Sequence, residues 1–148
     1  MTTLFNPTTD AQLISRLESL QPDTQSKWGK MNVSQMLAHC QTGFEVYFGD
    51  KKMKQSFVGK LFGKMAKKQL LSEKPMAKNL PTAKEFVVAD MRNFANEKAK
   101  LISLINRFAI EGKTIEPPVH PFFGKLSATE WAALMFKHTD HHLKQFGV

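Results

Sequence analysis

Apolar residues recur at three- and four-residue intervals in four long stretches of this chain, a period that fits helices and not strands. The first stretch carries Leu13, Ile14, Leu17 and Leu20, with Thr9 or Asp10 as its expected cap and Pro22 and Asp23 as its close. The second runs from Asn32 to about Phe48 and draws an inward stripe through Val33, Met36, Leu37, Cys40, Phe44 and Tyr47. Asn32 with Gln35 has the spacing of a capping box, and Gly49 suits the helix end. The third, about Asp90 to Glu111, turns Phe94, Leu101, Leu104, Ile105 and Phe108 inward and stops at Gly112. The fourth runs from Ser127 to Gln145, with Ser127 and Glu130 as a second capping box and Trp131, Leu134 and Met135 on its apolar face. Four amphipathic helices joined by short insertions predict an all-α antiparallel four-helix bundle.

The 148 residues suit one domain over 1–148 and are enough to bury a core. A single cysteine, Cys40, excludes an internal disulfide and suits a reducing compartment. The first residues, MTTLFNPTTD, lack a positive start followed by an apolar run, and no later run approaches a membrane span. A cytoplasmic protein is expected.

The net charge of +8 is local. Residues 51–80 hold nine Lys and one acid, Glu73, while the other 12 basic and 12 acidic residues cancel. That disfavours a nucleic-acid field over the whole domain. Within 51–72, Phe57, Val58, Leu61, Phe62 and Met65 recur at helical spacing among Lys60, Lys64, Lys67 and Lys68, although Gly59 and Gly63 weaken a regular helix. The favoured expectation is a solvated Lys face whose apolar side covers one end of the bundle, with no membrane or nucleic-acid partner; binding to an anionic membrane surface, nucleic acid or an acidic partner is the alternative. Residues 73–89, broken by Pro75 and Pro81, read as a connector with a short extended piece at Phe86, Val87 and Val88. The loop 113–126, with Pro117, Pro118, His120 and Pro121, is long for a compact domain.

Three of the five histidines fall within 138–142. His138 and His142 are one turn apart and share the face of Trp131, Leu134 and Met135, so both imidazoles point at the core. Two imidazoles so placed are either satisfied core residues or a chelating pair for a first-row metal. Burying them unpartnered costs roughly 1–3 kcal/mol per polar group. His39, at the edge of the second helix's stripe, is the candidate third ligand, and three histidines would leave positions open for water or substrate. The segment is not HExxH: Thr139 stands where a metalloprotease carries its Glu base. Gln145 and Gln35, each one turn from a candidate ligand, are either supports for its imidazole or capping and surface residues. His141 is rotated partly away, Asp140 is expected on the solvated side, and His120 reads as a structural residue of a packed turn, with a ligand or shuttle role as its alternative.

Together, Trp28 and Met31 ahead of Gln35, Met36, Leu37 and His39, and KHTDHHLKQF at 137–146 with its HxxHHxxQ pattern, resemble the DinB/YfiT-like superfamily of metal-binding four-helix bundles. The segment HPFFGKLSATEW, 120–131, is similar to a branch known only as a domain of unknown function. The resemblance implies a DinB-like bundle with a long crossover between helices two and three, and a divalent metal, zinc or nickel, held by His39, His138 and His142. Some relatives move a low-molecular-weight thiol onto a small electrophile, others are isomerases or hydrolases, and dimers are frequent. The expected activity is therefore metal-dependent thiol S-transfer or hydrolysis on a small-molecule substrate, with a non-catalytic metal- or ligand-binding role as the alternative.

Overall fold

A computed structural model describes residues 1–72 and 74–148; Glu73, the acid of the basic stretch and the first residue of the expected connector, lies outside the described residues. The described chain is all-helical, with α1 (Pro7–Ser19), α2 (Val33–Phe48), α3 (Phe57–Leu70), a 3-10 turn (Lys84–Phe86), α4 (Phe94–Glu111) and α5 (Ala128–Gln145). The extended pairing among the described residues is one isolated bridge between His120 and Gly124.

Local chemistry sets the helix ends. α1 begins earlier than expected. The Asn6 side chain accepts the Thr8 N–H at 2.9 Å, and Pro7, which has no N–H to satisfy, takes the first position. Asp10 thus falls inside the first turn, buried with Oδ1 unpartnered. Both capping boxes form as the sequence implies, at Asn32–Gln35 and Ser127–Glu130. Gly49 closes α2 at φ 79°, a left-handed conformation that glycine adopts without a Cβ penalty. α4 starts later than Asp90, because Asn93 caps it through the Asn96 N–H.

α2 lies along α4 over the longest interface, α1 packs on α4 and α5, and α2 also meets α5. The residues between them are those of the sequence stripes: Leu13 and Leu17, Met36, Leu37 and Phe44, Leu101, Ile105 and Phe108, and Trp131 are all at 1% exposure or less, and Leu143, outside the expected stripe, joins them. Tyr47 sits at the centre, with ring centroids 4.8 Å from Phe108 and 5.4 Å from Trp131, and its hydroxyl donates to the Gly112 carbonyl. The Trp131 indole N–H donates to the Pro118 carbonyl at 3.2 Å, which ties the long loop to α5.

In the insertions one expectation holds in part and one fails. Phe86 closes a turn, its N–H on the Ala83 carbonyl at 2.9 Å, while Val87 after it has extended backbone. Residues 57–70 are a full helix despite two glycines, and the apolar side of α3 does not cover the bundle. Phe57, Val58, Leu61, Phe62 and Met65 are exposed, whereas Gly59, Gly63 and Leu70 are buried. The glycines are needed because the loop backbone passes directly against them. A Cβ on Gly59 would lie 2.6 Å from the Phe122 carbonyl oxygen, and one on Gly63 would meet the same oxygen. Gly63→Ala is therefore expected to destabilise the fold by about 1–3 kcal/mol, as overpacking does, although alanine is the better helix former. Urea unfolding checks this, and a stabilised variant would contradict the docking described.

Candidate metal centre

α2 and α5 bring His39, His138 and His142 together. One ring nitrogen from each lies within 4.8 Å of the others. The ring centroids are 4.8 Å apart for His39–His138 and His39–His142, and 4.7 Å for His138–His142. His39 and His142 are buried, and His138 is half-buried. No Cys, Asp or Glu joins the group among the described residues.

The hydrogen bonds around the rings fix their tautomers. His39 Nδ1 lies 2.9 Å from the Phe86 carbonyl oxygen, which can only accept, so Nδ1 carries the proton. His142 Nδ1 lies 2.7 Å from Gln145 Oε1 and is a donor for the same reason. The Gln145 amide is itself oriented, its Nε2 donating to the Trp28 carbonyl at 2.6 Å. In both rings the bare nitrogen is Nε2, on the inner side. His39 Nε2 and His138 Nε2 are 3.0 Å apart, so His138 donates and His39 accepts. Moving that proton from His138 Nε2 to its Nδ1, which keeps the ring neutral, leaves a bare nitrogen on each of the three rings in one cluster.

Burial, then the neighbouring His142 and His39, pushes the pKa of His138 well below 6.5. Burial lowers His39 too, and brings His142 down to about 3. All three rings are therefore neutral near pH 7, the form that ligates a metal. Zinc–imidazole bonds of about 2.0–2.1 Å put neighbouring nitrogens of a tetrahedral site roughly 3.4 Å apart, close to the 3.0 Å between His39 Nε2 and His138 Nε2 and inside the 4.8 Å that spans all three. The outer N–H groups held by carbonyl oxygens are the usual support of ligating histidines. The donor set therefore fits a divalent metal.

The remaining sequence candidates separate clearly. Gln145 supports His142 directly. Gln35 does not reach the cluster: its Oε1 closes the capping box on the Asn32 N–H and its Nε2 donates to the Asp90 carbonyl. His120 is outside the cluster as well. Its Nδ1 accepts the Phe122 and Phe123 N–H groups at 3.0 and 3.1 Å, and its ring lies against Trp131 at 4.9 Å, so it is the structural turn residue. His141 borders the site without joining it, half-buried with its ring 5.2 Å from His142 and 5.7 Å from Trp28. Asp140 is not simply solvated. It pairs with Arg16 at 2.8 Å and Lys144 at 2.7 Å, joining α1 to α5. The supports that sequence reasoning missed, the Phe86 and Trp28 carbonyls, are backbone groups and have no side-chain signature.

Gly29 completes the support. It adopts φ 81°, and a Cβ there would lie 2.5 Å from Gln145 Nε2. Gln145→Leu, which removes the acceptor, and Gly29→Ala, which displaces it, are each expected to weaken zinc or nickel binding by about 10–100-fold. Competition with a chromophoric chelator measures this, and a change under about 3-fold would contradict it.

The buried rings also set a pH dependence. His39, His120, His138 and His142 all have depressed folded pKa values, His120 at about 4 through burial. In the unfolded chain each takes a proton as pH falls through about 6.5, while the folded chain does not. Metal-free stability is thus full above that pH and declines toward about pH 4, by up to roughly 1.4 kcal/mol per pH unit for each such ring. Asp10, raised by burial to about 6, acts the other way: its folded form binds a proton first and offsets part of the loss. Urea midpoints measured in chelator are expected to fall steadily from pH 7 to pH 5; a flat profile would contradict the buried neutral rings.

Residues 5–147 match the family model described as "Protein of unknown function (DUF1569)", and the chain belongs to that family. No curated protein matches the chain. No solved structure matches it either.

Proposed function

We propose that this member of the DUF1569 family is a divalent-metal-dependent enzyme of the DinB/YfiT-like type. In this reading α1, α2, α4 and α5 form a single DinB-like four-helix domain, antiparallel, with α3 and the Lys84–Phe86 turn carried on the long crossover between α2 and α4. His39, His138 and His142 hold zinc or nickel. The observation that carries the reading is the convergence of their ring nitrogens, two of them with the opposite N–H held by a carbonyl oxygen.

A metal bound there would supply Lewis-acid activation, lowering the pKa of a thiol or water. The chain's own residues supply the rest. Phe86 and Gln145 hold the His39 and His142 rings in the ligating tautomer. Low ring pKa values keep protons from competing for the nitrogens near neutral pH. The favoured reaction is transfer of a low-molecular-weight thiol to a small electrophile, with hydrolysis second. The protein acts as a homodimer in the cytoplasm.

A second reading, a metal- or ligand-binding protein without turnover, is supported by the make-up of the site: among the described residues no Asp or Glu that could act as a base joins the three histidines. The test is zinc- or nickel-loaded protein with glutathione, bacillithiol or mycothiol and an aryl halide, and separately with nitrophenyl esters. Metal-dependent thioether formation supports S-transfer, and ester cleavage supports hydrolysis. Stoichiometric metal binding without turnover favours the second reading.

A further inference from the structure

α3 presents two opposite faces, and only one is used by the fold. Successive helical residues advance by about 100°. Gly59, Gly63 and Leu70 therefore share one side, which is buried against the loop at Pro121–Phe123 and beside α5. Phe57, Val58, Leu61, Phe62 and Met65 fill an arc of about 140° on the other side. They are 75%, 54%, 61%, 52% and 70% exposed.

The docking is built, not incidental. Ser56 N–H donates to the Pro121 carbonyl at 2.8 Å at one end of the helix. Lys67 reaches Glu130 at 2.9 Å and the Lys125 carbonyl at 3.1 Å. At the other end Lys137 of α5 donates to the Leu70 and Ser72 carbonyls, both at 2.8 Å. These contacts hold the apolar arc outward.

Charge identifies what the arc meets. Lys60, Lys64 and Lys68 form a row one turn apart along its edge, all exposed. Lys52 and Lys54 precede the helix and Lys74 and Lys78 follow it, and residues 51–70 contain no acid. A second copy of this chain brings the same lysines and no acid in this segment to oppose them. Nucleic acid would use the lysines but leave five large apolar side chains in water. An anionic lipid surface takes both: headgroups meet the Lys row while the apolar arc enters the acyl boundary. No described helix is long and apolar enough to cross a membrane, so the contact would lie in the plane of the interface.

We propose that α3 is a membrane-surface helix that docks this protein on anionic lipid through Phe57, Val58, Leu61, Phe62 and Met65, with Lys60, Lys64 and Lys68 on the headgroups. The inference stands on α3 alone and is independent of the metal reading.

The test is co-sedimentation of the full chain with phosphatidylcholine vesicles, with and without phosphatidylserine, at 150 mM salt. Binding is expected to the anionic vesicles only. Leu61→Ser with Phe62→Ser is expected to weaken it at least ten-fold, and Lys60→Gln, Lys64→Gln and Lys68→Gln together by about 100-fold, near five-fold per Lys. All five positions are solvent-exposed, so unchanged circular dichroism and thermal midpoint are expected and are measured alongside. Absence of binding to anionic vesicles by folded wild-type protein overturns the proposal. So does a dimer that Leu61→Ser with Phe62→Ser dissociates, which would assign the face to a second copy. Oligonucleotide binding in place of vesicle binding, lost only in the Lys variant, would assign it to nucleic acid.

Discussion

His138→Ala is expected to abolish tight zinc or nickel binding while leaving the fold almost intact. His138 gives the cleanest test of the three histidines. It is half-buried, and its ring bonds His39 alone. Neither the His39–Phe86 bond nor the His142–Gln145 bond depends on it. Losing a supporting hydrogen bond costs a metal site about 10–100-fold in affinity, and losing a ligand is expected to exceed that range. Stability gives a second readout. A metal at 1,000 times its Kd stabilises the folded chain by about 4.1 kcal/mol. At roughly 2–4 °C per kcal/mol for a chain near this size, the wild-type midpoint should rise by about 8–16 °C, and that of the variant should not. His141→Ala serves as the control, since it removes a neighbouring imidazole outside the cluster and should change affinity less than about 3-fold. Equal metal-induced shifts in wild type and His138→Ala would contradict the assignment.

Trp131→Ala is expected to be the most destabilising single truncation of the core. Trp131 is fully buried on α5, two turns before His138, with Tyr47 and His120 against its ring and its N–H on the Pro118 carbonyl. The long loop, the α2 aromatic cluster and the helix carrying two of the three histidines all converge on it. Large-to-small truncation of such a residue costs about 3–5 kcal/mol, part of it for the cavity left behind. The thermal midpoint should fall by roughly 6–20 °C. Metal affinity measured well below the new midpoint should survive, because Trp131 touches none of the triad's hydrogen bonds. A loss under about 1 kcal/mol would mean that the cluster around Tyr47 does not organise the core as described.

The parts of this molecule that sequence revealed were those written in side-chain type and period. The stripes of α1, α2, α4 and α5, both capping boxes and the pairing of His138 with His142 are repeats of 3.6-residue phase, and a helix converts phase directly into a face. His39 was legible because it stands beside a stripe whose neighbours are core residues. The insertions were less legible because their structure depends on distant backbone. Gly59 and Gly63 look like helix weaknesses until the Phe122 carbonyl is seen lying on them. The apolar residues of α3 look like core by composition, but the docked face is the glycine side, which carries no hydrophobic signal. Gln35 and Gln145 occupy equivalent spacings, yet one caps its own helix and the other holds a histidine. That choice is set by which carbonyl or imidazole the fold delivers nearby, and spacing alone does not contain it.

The central claim is that three histidines from two helices hold one metal ion. Anomalous diffraction at the zinc and nickel edges, from crystals of protein purified without a histidine tag, tests it most directly. The expected result is one peak among His39, His138 and His142, about 2.0–2.1 Å from each Nε2. Folded protein with no peak there after metal is added, or with its only peak elsewhere, would contradict the claim.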